Sequence, residues 1–300
     1  MMHSTQPNVL SEAFAGTLDS RNLREHGIYT RVVDGIKVHA ITCGWIKYRN
    51  AHVHSLLGPY LVILDPTWTD WAPIFSWVIE HPEGTIVIDT GETYKASRPE
   101  SLKGAGMNGW LNKQLAQIDV NEASDLQAQL KRLNITTDSV RWVILTHLHL
   151  DHAGGLEFFP KSEILVSHKE YVRPSSFVEG VYPDWFEPHL IGHYDDIGGI
   201  FGNGHVVTQA GDVIIVPTPG HTASHQSVIF KSKSGTLFFA GDASFSTAHM
   251  LSGFVPGINV DRRTARKTLS KIREFCKSPD VHCLPSHDMK AVRIYFGDGL

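Results

Sequence analysis

Cysteine is scarce in this chain of 300 residues: Cys43, Cys276 and Cys283 are all it has. An odd count with no paired pattern argues against a disulfide scaffold, and Cys276 and Cys283 are too far apart for a C-x-x-C knuckle. All three are read as small, reduced, buried side chains. Dense basic runs are missing and the net charge is −4, so nucleic acid is not an expected partner. No apolar stretch approaches the length of a membrane span. The opening residues, MMHSTQPNVLSEAFAG, have neither the basic nor the apolar region of a secretory signal, which makes the cytoplasm the expected compartment. A G-x-S-x-G elbow is also lacking, so an α/β-hydrolase serine mechanism has no support.

The residue in unusual supply is histidine, with 18. Around the histidines, short apolar runs recur from Gly35 onward. Lys37 to Trp45 reads as a strand, as do Thr85 to Ile88, Trp142 to Leu145, Glu163 to Val166, Val213 to Val216, Thr236 to Phe239 and His282 to Leu284. Each is short, rich in β-branched or aromatic residues and bounded by Gly, Pro or Asp. Two helices stand out. Ala123 to Leu133 places Leu126, Leu130 and Leu133 on one face, with Asn121 or Ser124 as cap; Asp261 to Cys276 does the same with Ala265, Leu269, Ile272 and Cys276. Strands in runs with helices between them imply a layered αβ protein. Residues 1–30 read as a polar arm and 31–300 as one domain. Stretches near 92–118, 172–206 and 245–260 fit no element; they are rich in Gly, Pro and aromatics and read as loop insertions that can wall a site.

One stretch concentrates chemistry: Thr146-His147-Leu148-His149-Leu150-Asp151-His152-Ala153-Gly154-Gly155. Four side chains able to bind metal fall within six residues, directly after an apolar run. Imidazole nitrogen and carboxylate oxygen are the ligands zinc takes in hydrolytic sites. Three other apolar runs end the same way, in Thr218-Pro219-Gly220-His221, Gly241-Asp242 and Ser286-His287. Strands that share a sheet bring their ends to one edge, where loops can pool ligands from distant parts of a chain. The pool is His147, His149, Asp151, His152, His221, Asp242 and His287. That exceeds what one tetrahedral zinc accepts, whereas two metals sharing a bridging carboxylate such as Asp242 would use it fully. No cysteine is among the seven, which favours a hydrolytic over a closed structural site.

The H-x-H-x-D-H motif, followed by Pro-Gly-His221, Gly-Asp242 and Ser-His287, resembles the metallo-β-lactamase superfamily, from about Lys37 to the C-terminus. The resemblance implies the α+β class and an αββα sandwich with a dinuclear metal site at one edge of the sheets. It implies one metal held by His147, His149 and His221, another by Asp151, His152 and His287, and Asp242 between them. Asp89, in Ile-Asp-Thr-Gly, matches an upstream aspartate that supports the ligands from behind. True β-lactamases carry cysteine at the Asp242 position, flavodiiron proteins carry glutamate in place of His149, and RNA-processing members carry a large inserted domain. With 74 residues from His147 to His221, 21 to Asp242 and 45 to His287, the pattern is most similar to N-acyl-homoserine lactone hydrolases, the quorum-quenching lactonases. Those enzymes have a tyrosine three residues after the bridging aspartate; here that position is Phe245, expected to act as an apolar wall for substrate.

The activity so implied is lactone opening by a metal-bound hydroxide, since coordination brings the pKa of water down toward about 7. Asp151 is the expected catalytic side chain, holding the hydroxide and carrying a proton to the leaving oxygen. The expected cofactors are two divalent ions, zinc foremost. The expected partner is a small-molecule substrate, with no membrane and no nucleic acid, and with a homodimer left open. Two alternatives remain: hydrolysis of another ester, a thioester or a phosphotriester on the same frame, and a non-catalytic metal-binding protein. A glutathione thioester would call for basic residues near the site, and 245–260 has none. His225, four residues after His221, is read equally as a support for the ligands or as a structural histidine.

Overall fold

A computed structural model describes residues 27–54, 62–98, 106–174 and 182–297. Eight strands form one sheet: β1 (Ile28–Val33), β2 (Ile36–Tyr48), β3 (Ala72–Ile79), β4 (Thr85–Ile88), β5 (Ala116–Asp119), β6 (Val140–Ile144), β7 (Glu163–Ser167) and β8 (His189–Ile191). Their order is β1-β2-β3-β4-β6-β7-β8, with β5 paired to β2. The second sheet has the order β14-β13-β12-β11-β10-β9. It is built from β9 (Asp195–Gly198), β10 (Gly202–Val206), β11 (Val213–Pro217), β12 (Gln226–Ser232), β13 (Gly235–Gly241) and β14 (Val281–Pro285).

Side-chain alternation explains the layering, because successive residues of a strand face opposite sides. In β4, Ile86 and Ile88 enter the core between the sheets while Val87 faces outward; in β6, Trp142 and Ile144 enter it and Val143 faces out. Val213 and Ile215 of β11 meet them from the other sheet, and Ile214 and Val216 face the far side. Trp77 of β3, fully buried, lies 5.4 Å from Phe75 and 5.2 Å from Phe239 across the layers. Among the described residues the α-helices are α1 (Asn50–His54), α2 (Gly106–Leu115), α3 (Leu126–Arg132), α4 (Leu150–Ala153), α5 (His168–Val172), α6 (Thr247–Ser252), α7 (Arg262–Phe275) and α8 (Met289–Phe296), and both outer faces of the sheets are covered. Helix α3 (Leu126–Arg132) sets Leu126 and Leu130 against the first sheet, and α7 (Arg262–Phe275) sets Leu269 and Ile272 against the second. The result is an α+β, αββα sandwich, as the resemblance implies.

Several local readings need correction. Helix α3 is capped by Asp125, which accepts from the Ala128 amide, while Asn121 and Ser124 bond to each other in the preceding turn. Helix α7 does start after Asp261, whose carboxylate accepts from Arg263 and Thr264. Cys276 and Cys283 are joined in a disulfide and are only partly buried. The turn from the end of α7 into β14 brings their Cα atoms to 6.3 Å, within disulfide reach. Cys43 alone is a free, buried thiol, with burial pushing it up to about 12. The stretches read as insertions contain elements: α2 (Gly106–Leu115) and β5 in the first, β8, β9 and β10 in the second, α6 (Thr247–Ser252) in the third. The sheet begins at Ile28, inside the last residues assigned to the arm, and residues 1–26 lie outside the described ones.

Strand direction places the site. β4 and β6 run parallel, as do β13 and β14, and β11 and β13 share a direction because both are antiparallel to β12. The segments after β4, β6, β11, β13 and β14 carry Asp89, the 146–152 cluster, His221, Asp242 and His287. Gln226 fastens the two sheets beside them: its amide NH₂ donates to Leu145 O and its backbone N–H to Thr146 O.

Candidate metal centre

The seven side chains expected as ligands meet at this edge. His147, His149 and His221 form one group whose ligand atoms lie within 4.8 Å of one another; Asp151, His152 and His287 form a second. Asp242 stands between the groups. Its Oδ1 is 3.3 Å from His152 Nε2 and 3.2 Å from His287 Nε2, while its Oδ2 is 3.4 Å from His221 Nε2. One carboxylate thus turns one oxygen to each group. His147 Nε2, His152 Nε2 and Asp242 Oδ1, all facing the cluster, are buried without a hydrogen-bond partner among the described residues. Buried polar atoms are almost always satisfied, so this cluster of unmet donors and acceptors fits a pair of cations.

Three of the outer ring nitrogens are tied back. His147 Nδ1 lies 3.0 Å from Thr146 Oγ1, His152 Nδ1 2.7 Å from Asp89 Oδ2, and His287 Nδ1 donates to Pro73 O at 2.8 Å. Such contacts orient an imidazole and leave its other nitrogen for a metal. Asp89 also accepts from the Thr146 amide at 2.7 Å and the Thr146 hydroxyl at 2.9 Å. It does so from a left-handed backbone, φ 56°, uncommon for a residue with a side chain. Glycines allow the close approach: a Cβ on Gly155 would meet Thr90 O at 2.4 Å, and Gly241, φ 55°, lies against the His225 ring.

Charge follows geometry. Burial keeps His147 and His221 well below the usual histidine range, so both are neutral, as metal ligands must be. Burial also opposes a charge on His152, but Asp242, Asp151 and Asp89 outweigh it and hold this ring well above that range. Burial works against ionised Asp242 too; His287 and His152 overcome it and keep the carboxyl well below the usual carboxylate range.

Three supporting residues are absent from the sequence reading. Glu170, buried, accepts from Thr222 and Ser224 hydroxyls at 2.7 and 2.8 Å and so joins the His147–His152 segment to the His221 turn. Pro73 comes from β3, a strand the sequence reading passed over. Tyr48 ends β2, three residues beyond the strand as read; its phenol donates to Asp151 Oδ2 at 3.1 Å. The run Ile46-Lys47-Tyr48 that continues the apolar pattern is the signal that could have found it. His225 lies behind the site: its Nε2 accepts from the Asp242 amide at 3.0 Å and its Nδ1 contacts Thr218 Oγ1 at 2.9 Å, with burial pushing it down to about 3. Asp288 is structural, capping α8 (Met289–Phe296) and accepting from Thr247 N. Phe245 packs 5.7 Å from both His221 and His287 and 5.9 Å from Tyr48, ring centre to ring centre.

Two packed sheets with histidines and aspartates gathered at their strand ends define an αββα protein with a candidate metal centre. The model of the metallo-β-lactamase superfamily matches residues 69–276, and the chain belongs to that superfamily. An N-acyl homoserine lactonase of Bacillus thuringiensis is 28% identical over 263 residues, 86% of this chain and 97% of that one. Among solved structures, an N-acyl homoserine lactone hydrolase with the product N-hexanoyl-L-homoserine at its catalytic metal centre superposes with a TM-score of 0.69 at 22% identity, over 88% of this chain and 95% of that one. AidC, a dizinc quorum-quenching lactonase, superposes at 0.63 with 16% identity, over 88% and 91%. At such identities the two structures speak for the fold.

Proposed function

We propose that this protein is a dinuclear metal-dependent hydrolase that opens a lactone ring, with N-acyl-homoserine lactones as its foremost substrates. The observation that carries the reading is the gathering of six candidate ligands into two groups of three, joined by the two oxygens of a seventh, Asp242. His147, His149 and His221 would hold one ion, Asp151, His152 and His287 the other, and zinc is the ion this imidazole–carboxylate set favours. Bound divalent ions supply water ionised near neutral pH and positive charge beside developing negative oxygen.

The remaining work falls to the chain. Asp89 would keep His152 turned inward, and Glu170 would keep the two ligand-bearing segments in register. Asp151 stands beside Tyr48 and His287 and would take the proton that water gives up and pass it to the departing ring oxygen. Phe245 would present an apolar wall to the substrate. The likeness to N-acyl homoserine lactonases, 28% identical, supports the choice of substrate class.

A panel on metal-replete protein tests this: acyl-homoserine lactones of several chain lengths, an aromatic lactone, a thioester and a phosphotriester. Ring opening of the homoserine lactones, abolished by chelator, is expected. Inert lactones beside a hydrolysed thioester or phosphotriester would overturn the substrate assignment. No turnover of any of them would favour a metal-binding protein without catalysis.

A further inference from the structure

Phe245 flanks the centre on one side and has no hydrogen to give. The aromatic ring beside it does. Tyr48 is fixed at the end of β2 by both of its backbone groups: its N–H donates to Thr69 Oγ1 at 3.0 Å and its carbonyl accepts from Thr69 N at 2.8 Å. Its ring is wedged among His52, Phe245 and His287, at 6.0, 5.9 and 6.1 Å between ring centres. Being buried and clamped, the ring carries its hydroxyl to a definite point. The oxygen stands 3.1 Å from Asp151 Oδ2 and 3.4 Å from His287 Nε2. Within the second group, Asp151 Oδ2 and His287 Nε2 are themselves 3.4 Å apart, and His287 Nε2 is 3.2 Å from Asp242 Oδ1. The phenol is therefore as close to the reacting centre as the candidate ligands are to one another.

We propose that Tyr48 is a catalytic residue, whose phenol O–H hydrogen-bonds the oxygen that leaves the acyl carbon as the ester bond breaks. The inference rests on the hydrolase reading above. Water adds its oxygen to the acyl carbon; the bond from that carbon to the ring oxygen breaks, and the electron pair goes to the ring oxygen. The proton released by water reaches that oxygen through Asp151, giving a hydroxy acid. Tyr48 transfers no proton. Its single hydrogen, which Asp151 Oδ2 accepts in the structure, turns to the ring oxygen as Asp151 takes the proton from water and negative charge builds on that oxygen; such a donor is worth about a hundredfold or more at a fully exploited site, and less where metal ions share the charge. Phe245, across the same group, contributes shape and no donor, so the polar contact to the leaving oxygen comes from β2.

The test is Tyr48→Phe in the metal-replete protein, assayed on matched oxygen and sulfur esters: an acyl-homoserine lactone and the corresponding acyl-homocysteine thiolactone. Metal content should stay at the wild-type value. On the oxygen ester kcat should fall about tenfold to a hundredfold with KM little changed. The loss should be clearly smaller on the thiolactone, because a departing thiolate needs a hydrogen bond less. Calorimetry supplies a readout apart from turnover. Wild type should bind N-hexanoyl-homoserine more tightly than N-hexanoyl-2-aminobutyrate, which lacks the hydroxyl, and Tyr48→Phe should erase that preference.

Equal losses on both esters, kcat within about twofold of wild type, or loss of metal from the variant would each overturn the proposal. If lactones are inert and another ester is hydrolysed, the lactonase reading fails, and the same oxygen–sulfur comparison on that ester decides Tyr48. If no ester turns over, the catalytic role of Tyr48 falls with the hydrolase reading, and a hydroxyl preference lost in the variant would make Tyr48 a binding residue only.

Discussion

On the ligand side of the centre, each of His147, His152 and His287 has its outer nitrogen tied to a fixed neighbour, Thr146 Oγ1, Asp89 Oδ2 or Pro73 O. On the aromatic side, Tyr48, Phe245, His52 and Phe254 lean on one another through ring contacts and apolar packing. His52 there is buried with Nδ1 lacking a hydrogen-bond partner among the described residues, and burial pushes it down to about 4. The ligand side hangs from strand ends by directional bonds; the aromatic side is packed from segments far apart in the chain. Directional support holds atoms where chemistry needs them, within a fraction of an ångström. Packed rings tolerate exchange and are the place where a substrate preference can drift.

The contrast makes Asp242→Ala the most damaging substitution. Its two oxygens face both ligand groups, so metal content should fall at both positions, from two equivalents toward one or none. Hydrolysis should drop by roughly three orders of magnitude, since metal-derived stabilisation is worth several kcal/mol. Elemental analysis beside a lactone assay checks both, and a variant that kept two tight ions would break the bridging assignment.

Asp89→Asn comes next. Asparagine tolerates the left-handed backbone there, so the turn should survive. It can keep one contact to Thr146 but loses the charge facing His152 Nδ1. Metal affinity or activity should fall about 10–100-fold, the usual cost of an outer partner. Competition with a chelator measures it. A loss under about twofold would mean that directional support is not what holds His152.

Sequence made the two sides unequally legible. Each candidate ligand follows an apolar run and sits in a turn of Gly, Pro, Asp or His, so the strand ends and the residues that meet there were readable together. Asp89 was readable for the same reason. Tyr48, Pro73 and Glu170 were not, because what they do depends on which strands become neighbours. Pro73 matters through β3, which pairs with β2 and β4, and Glu170 through its reach to Thr222 across 52 residues. The Cys276–Cys283 bond was missed because the pairing is made by a helix-to-strand turn and not by a compact motif.

Glu92 tests the ligand side through stability instead of rate. This buried carboxyl lies against Gly154 and accepts from the Thr93 amide. Burial pushes it up from 4.5 to about 8, against that hydrogen bond, with Asp151 and Glu157 adding to the rise. A raised folded-state pKa means that the stability of the protonated form is fully present below about 4.5 and is lost progressively as pH rises through about 8. Glu92→Gln removes the titration. Its unfolding free energy should match wild type near pH 4 and exceed it increasingly toward pH 8, by an amount on the order of a few kcal/mol. Denaturant unfolding of both proteins across that range checks the sign, and a gap that closes with rising pH would reverse the assignment.

The smallest effect belongs to Phe245, on the aromatic side. Its ring is 7% exposed and lies at equal distance, 5.7 Å, from His221 of one ligand group and His287 of the other. It also packs with Ile46, Val53 and Ile74, so it serves the core and the wall at once. Phe245→Ala should raise KM for long-chain lactones more than for short ones, because the apolar contact scales with the area a substrate can cover. Phe245→Tyr keeps the ring and adds a hydroxyl beside Tyr48. If Tyr48 already serves the leaving oxygen, a second donor adds at most one neutral hydrogen bond, and kcat should move by about tenfold or less. Steady-state kinetics of both variants on short and long lactones tests this. Unchanged KM values in Phe245→Ala would assign the ring to the core alone and take it off the substrate wall.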